Sequence, residues 1–201
     1  MFLFNDPNEK IDLKLPDADV VYYPNFLNQE ATTLLLKQLI KNTKWQQDDI
    51  CVFGKTYPQP RLTHLFAENK NPYSYSNITM HPSIIPKYLQ EVKKRIEQVT
   101  GTFFTTCLAN LYRNGQDSNG WHADDEKELG VNPVIASLSL GGPRWFHLKH
   151  KENKELKSKI ELTHGSLLIM QGATQHNWQH QIPKTKKEVE ERINLTFRVI
   201  H

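Results

Sequence analysis

Arg192-Ile193-Asn194-Leu195-Thr196-Phe197-Arg198-Val199-Ile200 alternates polar and apolar residues without a miss. That is the period-two signature of a β-strand with one polar and one apolar face. The polar row, Arg192, Asn194, Thr196 and Arg198, reads as a wet face whose donors suit a carboxylate. At about 3.3 Å per residue the two arginine Cα atoms stand about 20 Å apart, so they converge on one ligand only by leaning from its opposite ends.

Strand character extends upstream of this stretch. Residues 102–112, 134–140, 144–149, 160–162, 166–170 and 191–200 are rich in β-branched and aromatic side chains. Gly141-Gly142-Pro143 reads as the turn of a hairpin between two of them. The charged run from Lys149 to Lys159 reads as an exposed loop. Before residue 101 the pattern is helical in two places. Asn28 suits the cap of a helix running to about Lys41, with Leu35, Leu36, Leu39 and Ile40 on its apolar face. Pro86 suits the first turn of a second helix, lined by Leu89, Val92, Ile96 and Val99 and stopped by Gly101. Val20 to Tyr23 reads as a short strand, and residues 46–76 as hairpins and loops. Helices followed by many short strands predict an α+β fold built on a sandwich or jelly roll.

The 201 residues suffice for one well-filled domain. A hydrophobic content of 38%, with 23% charged residues, fits a soluble globular protein. The net charge of +3 allows a polyanionic partner without requiring one. Two cysteines are too few for a disulfide framework or a cysteine zinc site, which points to a reducing compartment. Met1-Phe2-Leu3-Phe4 is too short for a secretory h-region, and no run reaches membrane-spanning length. The expectation is an intracellular protein.

His122-Ala123-Asp124 supplies the first sign of chemistry. Residues i and i+2 of an extended segment point the same way, so an imidazole and a carboxylate can share a metal ion. Such a tripeptide also recurs in plain surface turns. A second histidine must come from elsewhere, and His176 and His180 are equal candidates on composition. His164 suits a turn anchor, and His147 and His150 need no catalytic role. Two histidines and a carboxylate leave positions open on Fe(II), and a co-substrate that is a dicarboxylic keto acid needs a cation for its far end. The arginine strand supplies one.

At this point the chain resembles the AlkB family of Fe(II)- and 2-oxoglutarate-dependent nucleic-acid dealkylases. The blocks that carry the resemblance are Asn110-Leu111-Tyr112, Trp121-His122-Ala123-Asp124-Asp125-Glu126, Ala136 to Gly141, His164 to Leu168, His180-Gln181-Ile182-Pro183 and the arginine strand, in family order. The resemblance implies a double-stranded β-helix (jelly-roll) core over about 102–201, nucleotide-recognition hairpins over about 46–80, and one dioxygenase domain over 1–201. It implies His122, Asp124 and His180 as iron ligands and catalytic centre. It implies Asn110, Tyr112, Arg192, Asn194, Thr196 and Arg198 as the 2-oxoglutarate wall, and Asp125 as a contact to the target base.

Val52-Phe53-Gly54 is similar to the hairpin that duplex-acting members push into the base stack, where an apolar wedge fills the gap left by a flipped base. Tyr73, Tyr75 and Ser76 resemble the nucleotide-recognition lid. Lys55, Arg61, Lys149 and Lys151 are expected phosphate contacts. Trp121, before the first ligand, departs from the smaller or charged residues of relatives. The implied reaction is demethylation of 1-methyladenine and 3-methylcytosine in DNA, duplex by expectation, by a monomer using O2 and 2-oxoglutarate. Formaldehyde, succinate and CO2 are its products. The action would be cytoplasmic in a bacterium and nuclear in a eukaryote. An oxygenase acting on RNA or protein is the rival enzyme, and a binder of damaged DNA without turnover the rival of another class. Because the two imidazoles must be neutral to bind metal, activity is expected to fall below about pH 6.

Overall fold

The alternating stretch is a strand over Arg192–Arg198, yet both of its faces are buried. In the computed structural model, which describes residues 9–52, 54–69, 73–75 and 78–200, its row of arginine, asparagine and threonine faces another sheet instead of solvent. The polar face is therefore an interior wall, a correction to the wet face that alternation alone suggests.

The elements, in chain order, begin with β1 (Ile11–Asp12), β2 (Asp19–Tyr23), α1 (Gln29–Asn42), β3 (Asp49–Val52), β4 (Lys55–Pro58) and β5 (Leu62–Ala67). Next come β6 (Tyr73–Tyr75), β7 (Ile78–Met80), β8 (Ser83–Ile84), α2 (Lys87–Thr100), β9 (Thr106–Tyr112) and β10 (Asn119–His122). The last are β11 (Ile135–Gly141), β12 (Arg144–His150), β13 (Lys157–Leu162), β14 (Leu167–Gln171), α3 (Thr174–Asn177), β15 (Trp178–Ile182) and β16 (Arg192–Arg198).

Two sheets carry the site. The larger runs β1-β2-β14-β11-β16-β9-β5-β8, and the smaller runs β10-β15-β12-β13. One face of the large sheet packs Ile193, Leu195, Phe197, Ala109, Leu138 and Ile169 against Leu35 and Leu39 of α1 and Leu89, Val92 and Ile96 of α2. The other face meets the small sheet through a second apolar cluster that includes Ile135, Phe146, Leu148, Met170 and Trp178. Two buried faces explain why β9 and β16 are buried at every position.

The helices start and stop for local reasons. The Asn28 side chain accepts from the Ala31 N–H at 2.8 Å, and Gly101 takes φ +69 to close α2. Pro86 is the residue before α2, not part of its first turn.

Several sequence expectations shift. Gly141-Gly142-Pro143 is no hairpin turn, because β11 lies in the large sheet and β12 in the small one. The chain crosses between sheets there, against the backbone of Glu190 and Glu191. A Cβ on Gly141, at φ +91, would lie 2.2 Å from the Glu191 carbonyl, so only glycine fits. The charged run after Lys149 holds the exposed loop over residues 151–156, but its ends are strand, since β12 and β13 pair from Arg144↔Leu162 to Lys149↔Lys157. Within the expected recognition region, β5 pairs with β9 in the core sheet, whereas β3–β4 and β6–β7 are separate two-stranded sheets. Among the described residues, no helix is long and apolar enough to cross a membrane.

Candidate active site

The pocket lies between the sheets, where polar rows replace the apolar filling. Strand register makes those rows. Asn194 pairs with Asn110 on one side and Ser139 on the other, and Thr196 sits between Leu108 and Ser137. Arg192 stands across from Tyr112 and Gly141. Alternation then turns Asn110, Tyr112, Ser137, Arg192, Asn194 and Thr196 into one cavity, lined also by His122, Asp124, His180 and Arg198.

His122 and His180 are cross-strand partners on β10 and β15, with a bulge before His122. Directly opposed residues of an antiparallel pair bring their side chains together. The two rings meet edge to face, with centroids 4.2 Å apart. Asp124 follows two residues on, its Oδ1 lying 3.9 Å from His122 Nε2. One ligand atom from each of the three falls within 4.8 Å of the others, a span that one metal ion can bridge.

The supporting contacts fix the ligand atoms. His122 Nδ1 lies 2.8 Å from the Gly120 carbonyl, which can only accept, so Nδ1 carries the proton and Nε2 keeps its lone pair. Phe146 stacks on His180 at 5.1 Å. The Asp124 N–H donates to Gln175 Oε1 at 2.9 Å. Burial alone would raise the Asp124 carboxyl. The Arg198 guanidinium, donating to Oδ1 at 2.7 Å, and the nearby histidines instead hold it at about 2. Burial, then the neighbouring His122, pushes His180 down to about 3. His122 is also lowered, again mainly by burial. At neutral pH the cluster is two neutral imidazoles and one carboxylate, the protonation state that metal binding requires.

The second arginine has a different role. Burial lowers Arg192 to about 10, with the nearby Tyr112 opposing the shift, so it stays charged at neutral pH. Its Nη2 donates to Ser139 Oγ at 3.0 Å, while Nε and Nη1 are buried with no hydrogen-bond partner. A buried cation with two idle donors demands an acceptor, and a carboxylate fits. The cavity thus carries a histidine–aspartate cluster that could hold a metal ion and, on Arg192, two donors open to an acceptor. These features fit Fe(II) with a dicarboxylic keto acid between them.

Other expected residues are placed as follows. Asn110 accepts from Arg61 Nε at 2.8 Å, which makes Arg61 a buried wall residue and not the phosphate contact expected of it. Asn194 donates to Ser137 Oγ at 2.7 Å, and Thr196 donates to Asn194 Oδ1 at 2.9 Å. Asp125 is exposed and paired with Lys151 Nζ at 2.9 Å. Trp121 lies at the surface with Lys149 Nζ 4.3 Å from its ring centre. His176 is exposed on α3, and His164 accepts from the Gly141 N–H at 2.7 Å, which is its turn-anchoring task. Gly54 closes the β3–β4 hairpin at φ +75. Phe53 and Ser76 lie outside the described residues, and Val52, Tyr73 and Tyr75 are described in backbone alone.

The sequence marks no role for Gln175, Ser137 or Ser139, and for Arg61 it suggests a phosphate contact instead of the buried wall position it takes. The serines share the alternation of β11, which was the available signal. Gln175 sits beside nothing in sequence that marks it.

Comparison with known proteins follows the same lines. Residues 19–198 match the model of the 2OG-Fe(II) oxygenase superfamily. Within that class, the chain belongs to the AlkB family. It is 45% identical over 193 residues to the human alpha-ketoglutarate-dependent dioxygenase alkB homolog 3, covering 90% of this chain and 66% of that protein. It is 35% identical over 229 residues to the Arabidopsis thaliana DNA oxidative demethylase ALKBH2, covering 98% of this chain and 71% of that one. The chain therefore spans about two thirds of the length of the curated relatives it matches. The structure of OsALKBH1 shares the fold, with a TM-score of 0.65 at 17% identity over 90% of this chain and 96% of that one.

Proposed function

We propose that this chain is a DNA repair dioxygenase that removes methyl groups from N-alkylated bases such as 1-methyladenine and 3-methylcytosine. The observation that carries the proposal is the pairing, in one cavity, of a His122–Asp124–His180 cluster with the two idle donors of buried Arg192. The name of the Arabidopsis thaliana relative, a DNA oxidative demethylase, supplies the nucleic-acid substrate.

His122, Asp124 and His180 would hold Fe(II), which, with O2 and 2-oxoglutarate, supplies the oxidation of the N-methyl carbon that ends in formaldehyde, succinate and CO2. The chain's own residues do the rest. Arg198 keeps the Asp124 carboxylate ionised and aimed. Arg192, beside Tyr112 and Asn110, takes the far carboxylate of 2-oxoglutarate and sets its direction along the cavity. Asn194 and Thr196 complete that wall. Asp125, next to the cluster and exposed, exchanges its Lys151 partner for the cationic ring of an alkylated base, a charge that an unmodified base lacks.

The stretch Val52, Phe53 and Gly54, which in sequence links β3 to β4, acts as the wedge for duplex DNA. Tyr73, Tyr75 and Ser76 grip the flipped base. The working form is a monomer inside the cell, in the cytoplasm of a bacterium or the nucleus of a eukaryote.

The test is to incubate single- and double-stranded oligonucleotides carrying one 1-methyladenine or 3-methylcytosine with Fe(II), 2-oxoglutarate and air, and to follow the methyl mass. Loss of methyl mass from both lesions, faster in the duplex and slowed there by Phe53→Ala, is expected. Succinate formation with every DNA substrate left intact would move the assignment to an RNA or protein substrate.

A further inference from the structure

The small sheet has an outer face that the cavity does not use. On β12, Trp145, His147 and Lys149 point outward, alternating with buried Phe146, Leu148 and His150. Their partners on β13 are Glu161, Lys159 and Lys157. Across β15, Trp121 on β10 joins the same face, as its contact with Lys149 shows. The surface holds two large aromatic rings, Trp121 at 38% and Trp145 at 42% exposure. Each has an ammonium over it, Lys149 at 4.3 Å and Lys159 at 4.9 Å. Three lysines against one glutamate make it positive. Trp145 also walls a groove whose lining includes Pro143, Pro183 and Val189 with the charged Lys184, Lys187 and Glu188.

We propose that this face is a stacking platform for single-stranded DNA, with Trp145–Lys159 and Trp121–Lys149 as its two stations; the choice of DNA rests on the function proposed above. Indole rings on a flat sheet take the π-face of any base, and lysines beside them take the adjoining phosphates. An exposed ammonium–ring contact is weaker than a base stack, so an arriving base displaces the lysine, which then turns to the backbone. Strand spacing and rise put the two tryptophan Cα atoms on the order of 12 Å apart, too far for one base and suited to two non-adjacent ones. The opposite face of this sheet carries His180, so a strand held outside is anchored close to the cavity without entering it. The platform reads no sequence. It raises the local concentration, at the site, of DNA that carries a single-stranded stretch.

The experiment titrates unmodified oligo-dT of about 15 nucleotides into the metal-free protein at low salt, with no 2-oxoglutarate. Labelled-strand anisotropy gives the affinity, and tryptophan emission reports stacking. Trp178 is buried and Trp45 is packed against the core, so quenching by bases reports chiefly the two exposed rings. Trp145→Ala is expected to weaken binding on the order of tenfold, Trp145→Phe to restore most of it, and Lys159→Glu to weaken it and flatten its salt dependence. Both positions are at the surface, and unchanged melting temperatures will show that the three variants fold. Unchanged affinity in Trp145→Ala overturns the proposal. So does competition by inorganic polyphosphate as effective as by oligo-dT, since charge alone would then account for binding. Because no turnover is measured, a failure here leaves the demethylase reading standing, and loss of that reading leaves this result intact.

Discussion

Replacing Arg198 with methionine isolates the forces that hold the metal carboxylate. Asp124 and Arg198 are both nearly inaccessible to solvent, 1% and 6% exposed, and bonded at 2.7 Å. Methionine fills much of the same volume but leaves a buried carboxylate without its cation. Breaking such a pair costs about 3–5 kcal/mol, and in a chain of this size each kcal/mol lowers the melting temperature by about 2–4 °C. The metal-free variant should therefore melt about 6–20 °C below wild type near neutral pH. Adding Asp124→Asn should recover part of the loss, because the orphaned charge is then gone.

Acid should narrow the gap. In wild type Asp124 titrates at about 2, below its ordinary value of 3.8, so its stabilising contribution is present above 3.8 and lost as pH falls toward 2. In the variant the buried carboxyl rises above the ordinary value, and the folded state gains by taking up a proton as pH falls. Thermal unfolding of the four proteins of the cycle, by circular dichroism at several pH values, measures this. A melting shift under about 2 °C, or strictly additive single and double variants, would refute the reasoning.

Three further outcomes follow from the site. Arg192→Lys gives up the planar fork and should weaken 2-oxoglutarate binding by tenfold or more, read by calorimetry with Mn(II) in place of iron; an unchanged affinity would remove Arg192 from the clamp. Gln175→Leu leaves the Asp124 N–H without its acceptor and should lower metal affinity about 10- to 100-fold, checked by titration with a divalent ion. The fold itself should weaken in mild acid. Buried His180, at about 3, and His122, lowered from 6.5, stay neutral while the unfolded chain takes up protons. Stability is then full above 6.5 and falls as pH drops below it, and urea midpoints at pH 7.5 and 5 will show this. For the same reason the metal-binding limit, placed near pH 6 by ordinary histidine values, should move lower. A pH-independent midpoint, with metal already lost above pH 6, would contradict both shifts.

Much of this site is written in local pattern, and the rest depends on register. The alternation of Arg192 to Arg198 gives the strand and its row of donors. It cannot tell solvent from a second sheet, because a polar wall facing a cavity and one facing water look alike in sequence. His122-x-Asp124 is legible as a pair, but composition leaves His176 and His180 equal. Pairing of β10 with β15 separates them by setting His180 opposite His122. The strand that carries His180, Trp178–Ile182, is too polar to announce itself and is held by its neighbours. Gly141-Gly142-Pro143 reads as a hairpin turn, since a sheet-crossing corner uses the same residues and only the approach of Glu190 and Glu191 distinguishes it. Gln175 is silent in sequence because its role, a bond to the Asp124 N–H, is wholly tertiary.

The most direct test of the central claim counts products. A duplex carrying 1-methyladenine is incubated with Fe(II) and 2-oxoglutarate, and formaldehyde is measured against succinate, with His180→Ala run beside wild type. The account predicts near-equal amounts of the two products, neither formed without both Fe(II) and 2-oxoglutarate and neither formed by the variant. Formaldehyde released equally well by His180→Ala, or with 2-oxoglutarate omitted, would contradict it.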